Sequence, residues 1–256
     1  MFAARFFLLA SAFILLMLPP VGARAAPICA DYPYASAPRI AALMAPLRPV
    51  LARLPSMRAA LDFRQPEICL RLNLLDAHGY LDAQGTRLVL SAQINPALQR
   101  LILLHELRHL DQVVHGVCPP PDLSMQSNAR AVMAMEADAS AISLLAAWTL
   151  REWGDPSVWN AASDWPSQSD IADAFARNME ETRDPAAATA AAFARWFASD
   201  WRRESYYLAA CDDYLTVQDR TKRLPRYRAL SADFLETLCR MPGGQAYACA
   251  LPDTSR

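Results

Sequence analysis

The sequence has no concentration of positive charge. Its 25 lysines and arginines are balanced by 26 aspartates and glutamates, which gives a formal net charge of −1. Proteins that bind nucleic acid need a basic patch that neutralises phosphates, and no segment of this chain supplies one. We therefore expect no nucleic-acid partner.

The N-terminus lacks an apolar run long enough to cross a bilayer comfortably. It has a short basic start at residues 1–5, an apolar run at 6–18 and the small-residue site Ala23-Arg24-Ala25. This arrangement predicts a secretory signal peptide over residues 1–25, cleaved after Ala25. Cys29 lacks the small preceding residue of a lipoprotein site, so we expect a soluble periplasmic or secreted product without stable membrane insertion.

The chain also lacks the close C-x-x-C pairs that a cysteine-ligated structural zinc requires. Its six cysteines all follow the predicted cleavage site, and an even number in an exported chain indicates up to three disulfides. We expect no free thiol, and the sequence alone does not choose among the pairings. The cysteines are Cys29, Cys69, Cys118, Cys211, Cys239 and Cys249.

No internal repeat or domain boundary divides residues 26–256, so we expect one domain. Hydrophobic periodicity predicts a mostly helical α+β fold, in which a small sheet packs on two central helices and the C-terminal half is all-helical. Residues 68–150 would form the catalytic core and 170–240 the helical remainder. The predicted strands are 68–72 and 87–90, with turns at 77–80 and 83–85, and the predicted helices are 37–57, 95–115, 128–151, 171–181, 185–208 and 231–239.

Two local features support this assignment. Asn95 and Pro96 are typical of a helix start, with asparagine as the N-cap and proline at the first helical position. An aromatic stripe near the end of the 185–208 helix is expected to be core rather than a substrate pocket. The stripe consists of Phe193, Trp196, Phe197 and Trp201.

The helix that begins at Asn95 carries the motif HExxH at His105, Glu106 and His109. Residues four apart project from one face of a helix, so the two imidazoles can converge on one tetrahedral ion. Glu106 lies beside this pair and can take a proton from a zinc-bound water. The chain has only four histidines. A chance HExxH match is therefore expected on the order of 10⁻³ to 10⁻² times per sequence of this length.

A catalytic zinc needs a third protein ligand, and Glu136 is the preferred candidate. It lies in a helix that is otherwise apolar, next to small residues that allow close approach to the HExxH helix. Asp138 is an alternative ligand, but it lies about 200° round the helix from Glu136, so the two cannot both face one ion. Its other interpretation is a hydrogen-bonding partner between helices.

His115 is a second alternative, because it completes the spacing HExxHxxQxxH. Metzincins place glycine where this chain has Gln112, and that glycine lets the backbone turn. In an unbroken helix His115 points about 80° from His105 and about 120° from His109. We therefore expect it to miss the metal.

The segments HELRH (105–109) and EADA (136–139) resemble the gluzincin branch of HExxH zinc metallopeptidases. They are similar to uncharacterised bacterial metallopeptidase domains in which a strand pair precedes an HExxHxxQ helix and a Glu-x-Asp-Ala helix follows. The resemblance spans about residues 68–148 and implies zinc held by His105, His109 and Glu136, with Glu106 as general base. It also implies that the upstream strand is a sheet edge on which an extended peptide can lie. Several gluzincin families place the ligand glutamate four residues before the aspartate, where this chain has Ala134.

Other polar residues near the motif have weaker signals. Gln112 borders the expected cleft or is solvated, whereas Arg108 and Asp111 are interpreted as charges on the helix surface. The donor to a developing oxyanion is left open among three residues, each with a structural alternative. These candidates are His78, Tyr206 and Tyr207.

The preferred function is an exported zinc metallopeptidase that acts on a protein or peptide substrate. One alternative is an inactive metal-binding envelope protein that acts by binding another protein. Glu106 argues against it, because a structural metal site has no use for a carboxylate at that position. The other alternative, a zinc amidase acting on a non-peptide amide, shares every site residue.

Overall fold

The structure, a computed structural model, describes residues 26–72, 74, 78–82, 84–224 and 226–252. The predicted signal peptide, residues 1–25, lies outside the described residues, as do Ala77 and Ala83 of the two predicted turns. Within the described part of the chain, a small sheet is combined with ten helices. The predicted mostly helical α+β fold is therefore confirmed.

The described strands form one mixed sheet. They are β1 (Ile28–Ala30), β2 (Glu67–Arg71), β3 (Gly79–Leu81) and β4 (Arg87–Ser91). Their order is β1-β2-β4-β3, with β2 and β4 parallel and both outer pairs antiparallel. The predicted strands at 68–72 and 87–90 are confirmed as β2 and β4, and their continuous apolar runs suit the two buried central positions.

The helix predicted over residues 37–57 is divided into three shorter helices. These are α1 (Pro38–Met44), α2 (Leu47–Leu51) and α3 (Pro55–Arg64). Pro46 is the N-cap of α2, and Pro55 is the first residue of α3. Proline has no N–H to donate and clashes with the preceding turn, so it starts a helix more easily than it continues one.

Two long helices, α4 (Pro96–Val114) and α5 (Met125–Glu152), lie at the centre of the fold. The predicted start of α4 is confirmed, because the Asn95 side chain accepts the backbone N–H of Leu98 at 2.8 Å. α5 begins three residues before its predicted start, at a cap formed by Ser124. Within the described residues, α5 has the length and composition of a membrane span, but 78% of its apolar window is buried inside the fold.

β3 lies where the sequence predicted a turn at residues 77–80, so that prediction is wrong for Gly79 and Tyr80. Its pairing with β4 forms the ladder, with Tyr80 opposite Val89. A Cβ at Gly79 would lie 2.6 Å from Cγ2 of Ile102 on α4 and 3.0 Å from the Val89 carbonyl oxygen. Glycine therefore lets β3 pack directly against α4.

Helices make up the named elements after α5. They are α6 (Ser157–Asp164), α7 (Ser169–Thr182), α8 (Pro185–Trp196), α9 (Asp200–Thr221) and α10 (Phe234–Leu238). The predicted helix at 185–208 is broken, because Ser199 caps a new helix by accepting the backbone N–H of Arg202. The break turns Trp201 out of the core to 63% exposure, so the prediction of a core role is wrong for that residue.

Two disulfides form in the structure. Cys29–Cys69 joins β1 to β2, and Cys239–Cys249 closes a loop near the C-terminus. Cys118 and Cys211 are free, so the expectation that the chain has no free thiol is wrong. The disulfides indicate an oxidising environment outside the cytosol.

Candidate metal centre

His105 and His109 lie one turn apart on α4 and face Glu136 on α5. Their Nε2 atoms are 3.0 Å apart. Nε2 of His105 lies 3.3 Å from Oε2 of Glu136, and Nε2 of His109 lies 3.3 Å from Oε1. The structure thus brings together the three side chains that the sequence predicts as metal ligands, and we call them the histidine cluster.

The spacing and chemistry of the histidine cluster fit a tetrahedral metal ion. Zinc with bonds of 2.0–2.1 Å holds neighbouring ligand atoms about 3.3 Å apart. The observed separations are 3.0 Å between the two histidines and 3.3 Å from each histidine to Glu136. Two imidazole nitrogens and one carboxylate also leave a position free for a water or a substrate.

Within the histidine cluster, the Glu136 carboxylate and the imidazoles stabilise each other's charged forms. Desolvation by burial opposes protonation of His109, but the Glu136 carboxylate raises the pKa of His109 to about 9. Burial likewise opposes ionisation of Glu136, but the imidazoles of His109 and His105 hold its pKa well below the usual range. A carboxylate that stays ionised in a buried setting is stabilised by a cation, whether a proton on imidazole or a metal ion.

Glu106 lies beside the histidine cluster without belonging to it. Its exposure is 6%, and it lines the same cleft as His105 and His109. Burial raises the pKa of Glu106 above its ordinary value, against the opposing effect of the two imidazoles and of the Leu81 backbone N–H, which donates to it. A carboxylate with a raised pKa at the floor of a cleft suits the transfer of protons near neutral pH.

The cleft over the histidine cluster has a volume of about 1070 Å³. Residues of β3, α4, α5 and α9 line its walls. Apolar side chains of Ile102, Leu144 and Trp165 contribute to it, and the exposed rings of Tyr80 and Trp201 lie at its surface. The cleft is therefore open and large enough for several residues of an extended chain.

Gln112 connects the histidine cluster to Asp138. Oε1 of Gln112 lies 2.8 Å from Nδ1 of His109, and its Nε2 donates to Oδ2 of Asp138 at 2.7 Å and to the Met135 carbonyl at 3.1 Å. The solvated interpretation of Gln112 is wrong, because its exposure is 2%. Asp138 does not join the histidine cluster and has the helix-bridging role instead.

Arg108, Asp111 and Asp138 form a second group, the arginine cluster, behind the first. Arg108 donates to Asp138 through Nε at 2.7 Å and through Nη2 at 3.1 Å, and to Asp111 through Nη1 at 2.5 Å. Burial opposes the charged form of Arg108, but Asp138 holds its pKa above the usual value, so it remains a cation. Arg108 and Asp111 are 5% and 1% exposed, so the prediction of surface charges is wrong.

His115 lies at the C-cap of α4, away from the histidine cluster. Its Nδ1 lies 2.9 Å from the Asp111 carbonyl, and its side chain is 54% exposed. Among the described residues, two groups have ligand atoms close enough to share a metal ion. One contains the Cys29–Cys69 disulfide, and the other contains Glu136 and not His115. This position agrees with an α4 that stays helical through Gln112.

The three candidate oxyanion donors occupy different places. His78 lines the cleft and lies against Trp165, with ring centroids 5.4 Å apart. Tyr206 also lines the cleft, where burial and then the carboxylates of Glu136 and Glu106 raise its pKa. Tyr207 does not line it, and its hydroxyl interacts with Cys211 instead.

Comparisons with known proteins supply the remaining evidence. No curated protein and no solved structure matches the chain. One family model does match, over residues 23–249, and its description implies a hydrolase that uses a metal ion. The resemblance to metallopeptidases is confirmed at that level. The chain belongs to the family described as the "Putative metallopeptidase family (DUF6782)".

Proposed function

We propose that this chain is an exported zinc-dependent metallopeptidase that hydrolyses peptide bonds. The observation that carries the proposal is the convergence of His105, His109 and Glu136 beside the buried carboxylate of Glu106, at the floor of an open cleft. A metal site that only stabilised the fold would be closed by four protein ligands.

Zinc is the metal that we propose for this site. Two imidazoles and one carboxylate are a donor set of catalytic zinc in proteins, whereas magnesium and calcium prefer oxygen ligands. A zinc ion supplies Lewis acidity, which polarises a carbonyl group and makes water more acidic. His105, His109 and Glu136 hold it, and Gln112 orients the ring of His109.

Glu106 acts as the general base in this proposal. Its carboxylate takes a proton from the attacking water and passes it to the leaving amine, and such a group is most effective when its pKa lies near the operating pH. The raised pKa of Glu106 supports this role. The hydrogen bond from the Leu81 backbone N–H fixes the carboxylate against β3.

A peptide substrate would lie along β3, the strand at the cleft edge of the sheet. The resemblance implied that a strand upstream of the HExxH helix forms the sheet edge that binds a peptide. The two predicted strands, β2 and β4, are internal, and the edge strand beside the cleft is β3. His78 and Asp82 make the ladder bonds to β4, at 2.8 and 2.9 Å. In an antiparallel ladder, alternate residues point their backbone groups away from the paired strand. The N–H and C=O of Gly79 and the C=O of Leu81 therefore face the open edge, where they can form hydrogen bonds with an extended peptide.

Tyr206 is the residue that we assign as donor to the developing oxyanion. Its hydroxyl lies in the field of both Glu136 and Glu106, and burial and these carboxylates keep it protonated. The ring contacts Trp196 at a centroid distance of 5.1 Å, which fixes its direction. A neutral phenol held next to the reacting carbonyl can donate a hydrogen bond that strengthens as charge develops.

The export part of the proposal is supported by the two disulfides and by the N-terminal sequence pattern. In this proposal residues 1–25 are removed and residues 26–256 remain as one domain. Mass spectrometry of the exported chain should give an N-terminus at Ala26. An exported product that still begins at Met1 would contradict the proposal.

Replacing Glu106 by glutamine tests the mechanism. The change removes a proton acceptor and keeps the shape, so we expect about one zinc per chain, an intact fold and hydrolysis slower by at least about 100-fold. The measurement combines metal analysis with cleavage of fluorescently labelled casein.

Glu181→Gln is the matched control, because Glu181 is exposed on α7. It should leave zinc content and cleavage unchanged. Cleavage by Glu106→Gln at the wild-type rate would overturn the mechanism. A wild-type protein that binds no zinc would overturn the proposed function as a whole.

A further inference from the structure

The C-terminal loop, residues 239–249, is fixed in a compact conformation. The Cys239–Cys249 disulfide joins its two ends. Inside it, Arg240 forms an isolated antiparallel bridge with Ala246, and the Tyr247 backbone N–H donates to the Cys239 carbonyl at 3.1 Å. These bonds place the Tyr247 side chain in the core, where its exposure is 6%.

Tyr247 is the first member of a chain of hydrogen bonds that ends at the histidine cluster. Its hydroxyl donates to Oδ1 of Asp138 at 2.7 Å. Oδ2 of Asp138 accepts Nε2 of Gln112 at 2.7 Å, and Oε1 of Gln112 lies 2.8 Å from Nδ1 of His109. Three short bonds therefore connect a loop near residue 247 to a predicted metal ligand at residue 109.

The direction of these hydrogen bonds determines which ring nitrogen of His109 carries the proton and which has a lone pair available to bind a metal. Asp138 is an acceptor only, so the Gln112 group that faces it is the amide NH₂ and the group that faces His109 is the carbonyl oxygen. An acceptor opposite Nδ1 selects the imidazole with its proton on Nδ1. The lone pair of Nε2 is then directed to the histidine cluster.

The side chain of Asp138 is held in one position by its hydrogen bonds. Its carboxylate is 0% exposed and receives four hydrogen bonds, two from Arg108 and one each from Gln112 and Tyr247. Arg108 also donates to the Leu238 and Arg240 carbonyls at 3.1 and 2.9 Å. The C-terminal loop thus holds both the carboxylate and the guanidinium that pairs with it.

We propose that the C-terminal loop is a positioning element of the metal centre, acting through Tyr247, Asp138 and Gln112 on the imidazole of His109. The proposal rests on the proposed function, since it takes the histidine cluster as the zinc site. Neither Tyr247 nor the loop contacts the zinc ligands directly, so the effect passes through Asp138 and Gln112. Outer partners of this kind commonly contribute about 10- to 100-fold to metal affinity.

A packing role for Tyr247 makes a different prediction. If its hydroxyl only stabilised the fold, its removal would lower the free energy of unfolding and leave zinc affinity unchanged. If it positions His109, its removal weakens zinc binding, and that effect depends on Gln112. A double-mutant cycle on metal affinity separates the two roles, because residues in one network show coupled rather than additive effects.

The experiment measures the zinc dissociation constant of the purified chain by competition with a chelator. Tyr247→Phe should weaken binding by about tenfold and Gln112→Met by about 10- to 100-fold. In the Gln112→Met background, adding Tyr247→Phe should have almost no further effect. The matched control is Tyr34→Phe, since Tyr34 is also buried and donates to the Pro66 carbonyl at 2.9 Å, outside the network.

The outcomes separate this inference from the proposed function. Tyr34→Phe should reduce the free energy of unfolding and keep wild-type zinc affinity. Wild-type affinity in Tyr247→Phe, or a tenfold loss that persists in the Gln112→Met background, would overturn the positioning role. A wild-type chain that binds zinc no better than Glu136→Ala would instead overturn the metal site itself.

Discussion

The arginine cluster and the histidine cluster lie side by side between α4 and α5, yet they balance their charges differently. In the arginine cluster, protein donors satisfy both oxygens of Asp138, and a guanidinium supplies permanent positive charge. In the histidine cluster, Glu136 meets two imidazoles whose Nε2 atoms face each other at 3.0 Å. In the first group the cation is a side chain of the protein, whereas in the second the charge of Glu136 is balanced by a proton on imidazole or, as we propose, by a metal ion.

The surroundings of the two clusters show the same difference. The arginine cluster is buried, with 7% side-chain exposure for Arg108 and 0% for Asp138. The side chains of the histidine cluster are 15–19% exposed and open to the cleft. A buried charge pair without solvent contact contributes to the structure of the fold. A group of charged side chains that borders a cleft can also bind and release a ligand.

The largest effect is expected from Arg108→Met, which breaks the arginine cluster. It leaves the Asp138 carboxylate buried without its cation, so the free energy of unfolding should fall by about 3–5 kcal/mol. Urea denaturation of the metal-free chain measures this change. Arg203→Met is the control, since Arg203 pairs with Asp200 at the surface and should cost less than about 0.5 kcal/mol. Similar costs for the two variants would contradict the distinction between the clusters.

A smaller change in stability but a large loss of metal is expected from Glu136→Ala. Removing one of three ligands should weaken zinc binding by at least about 100-fold. The free energy of unfolding of the metal-free chain should fall less than in Arg108→Met, because the imidazoles left behind can lose their protons, whereas Asp138 stays ionised and buried when its guanidinium is removed. Chelator competition and urea denaturation give the two values.

His115→Ala is the control for that experiment, because His115 lies at the end of α4 and outside the cluster. It should keep wild-type zinc affinity and lower the free energy of unfolding by no more than about 1 kcal/mol, since its half-exposed ring lies 2.9 Å from Oδ1 of Asp111. The reverse result, with metal lost in His115→Ala and kept in Glu136→Ala, would require α4 to turn at Gln112 and would exclude the assigned ligands.

The smallest effect is expected from Ser56→Ala, at the edge of the arginine cluster. Ser56 donates to Oδ2 of Asp111 at 2.8 Å, and its loss should reduce the free energy of unfolding by about 1 kcal/mol. Zinc affinity should not change, since Asp111 makes no contact with the histidine cluster. Ser231→Ala, at an exposed position, is the control. A loss of zinc affinity in Ser56→Ala alone would show that Asp111, as well as Asp138, acts on the histidine cluster.

Local signals were enough to predict the two histidines, their helix and the glutamate that approaches them. Asn95 and Pro96 mark the start of α4, and the spacing of His105 and His109 needs only the geometry of one helix. Glu136 was found because a carboxylate in an apolar helix needs a partner. The same argument applies to Asp138 in the same apolar helix, but it does not identify Arg108 as the partner.

The missed features depend on contacts between distant parts of the chain. β3 has three residues, and it is a strand because β4 pairs with it rather than because of its own composition. Arg108 and Asp111 have ordinary helix-surface character until α3, α5 and the C-terminal loop pack around them. No local pattern in the C-terminal segment distinguishes Tyr247 as a partner of Asp138.

The sequence separations within the centre set an order in which its parts assemble. His105 and Glu136 meet across 31 residues, whereas Tyr247 meets Asp138 across 109. Closing a longer segment costs more entropy, and N-terminal parts of a chain fold first during synthesis, so the ligand-bearing helices form before the C-terminal loop docks. A chain whose last segment has not yet docked therefore has its histidine cluster before Tyr247 holds Asp138, so the complete network behind the cluster depends on the last residues to fold.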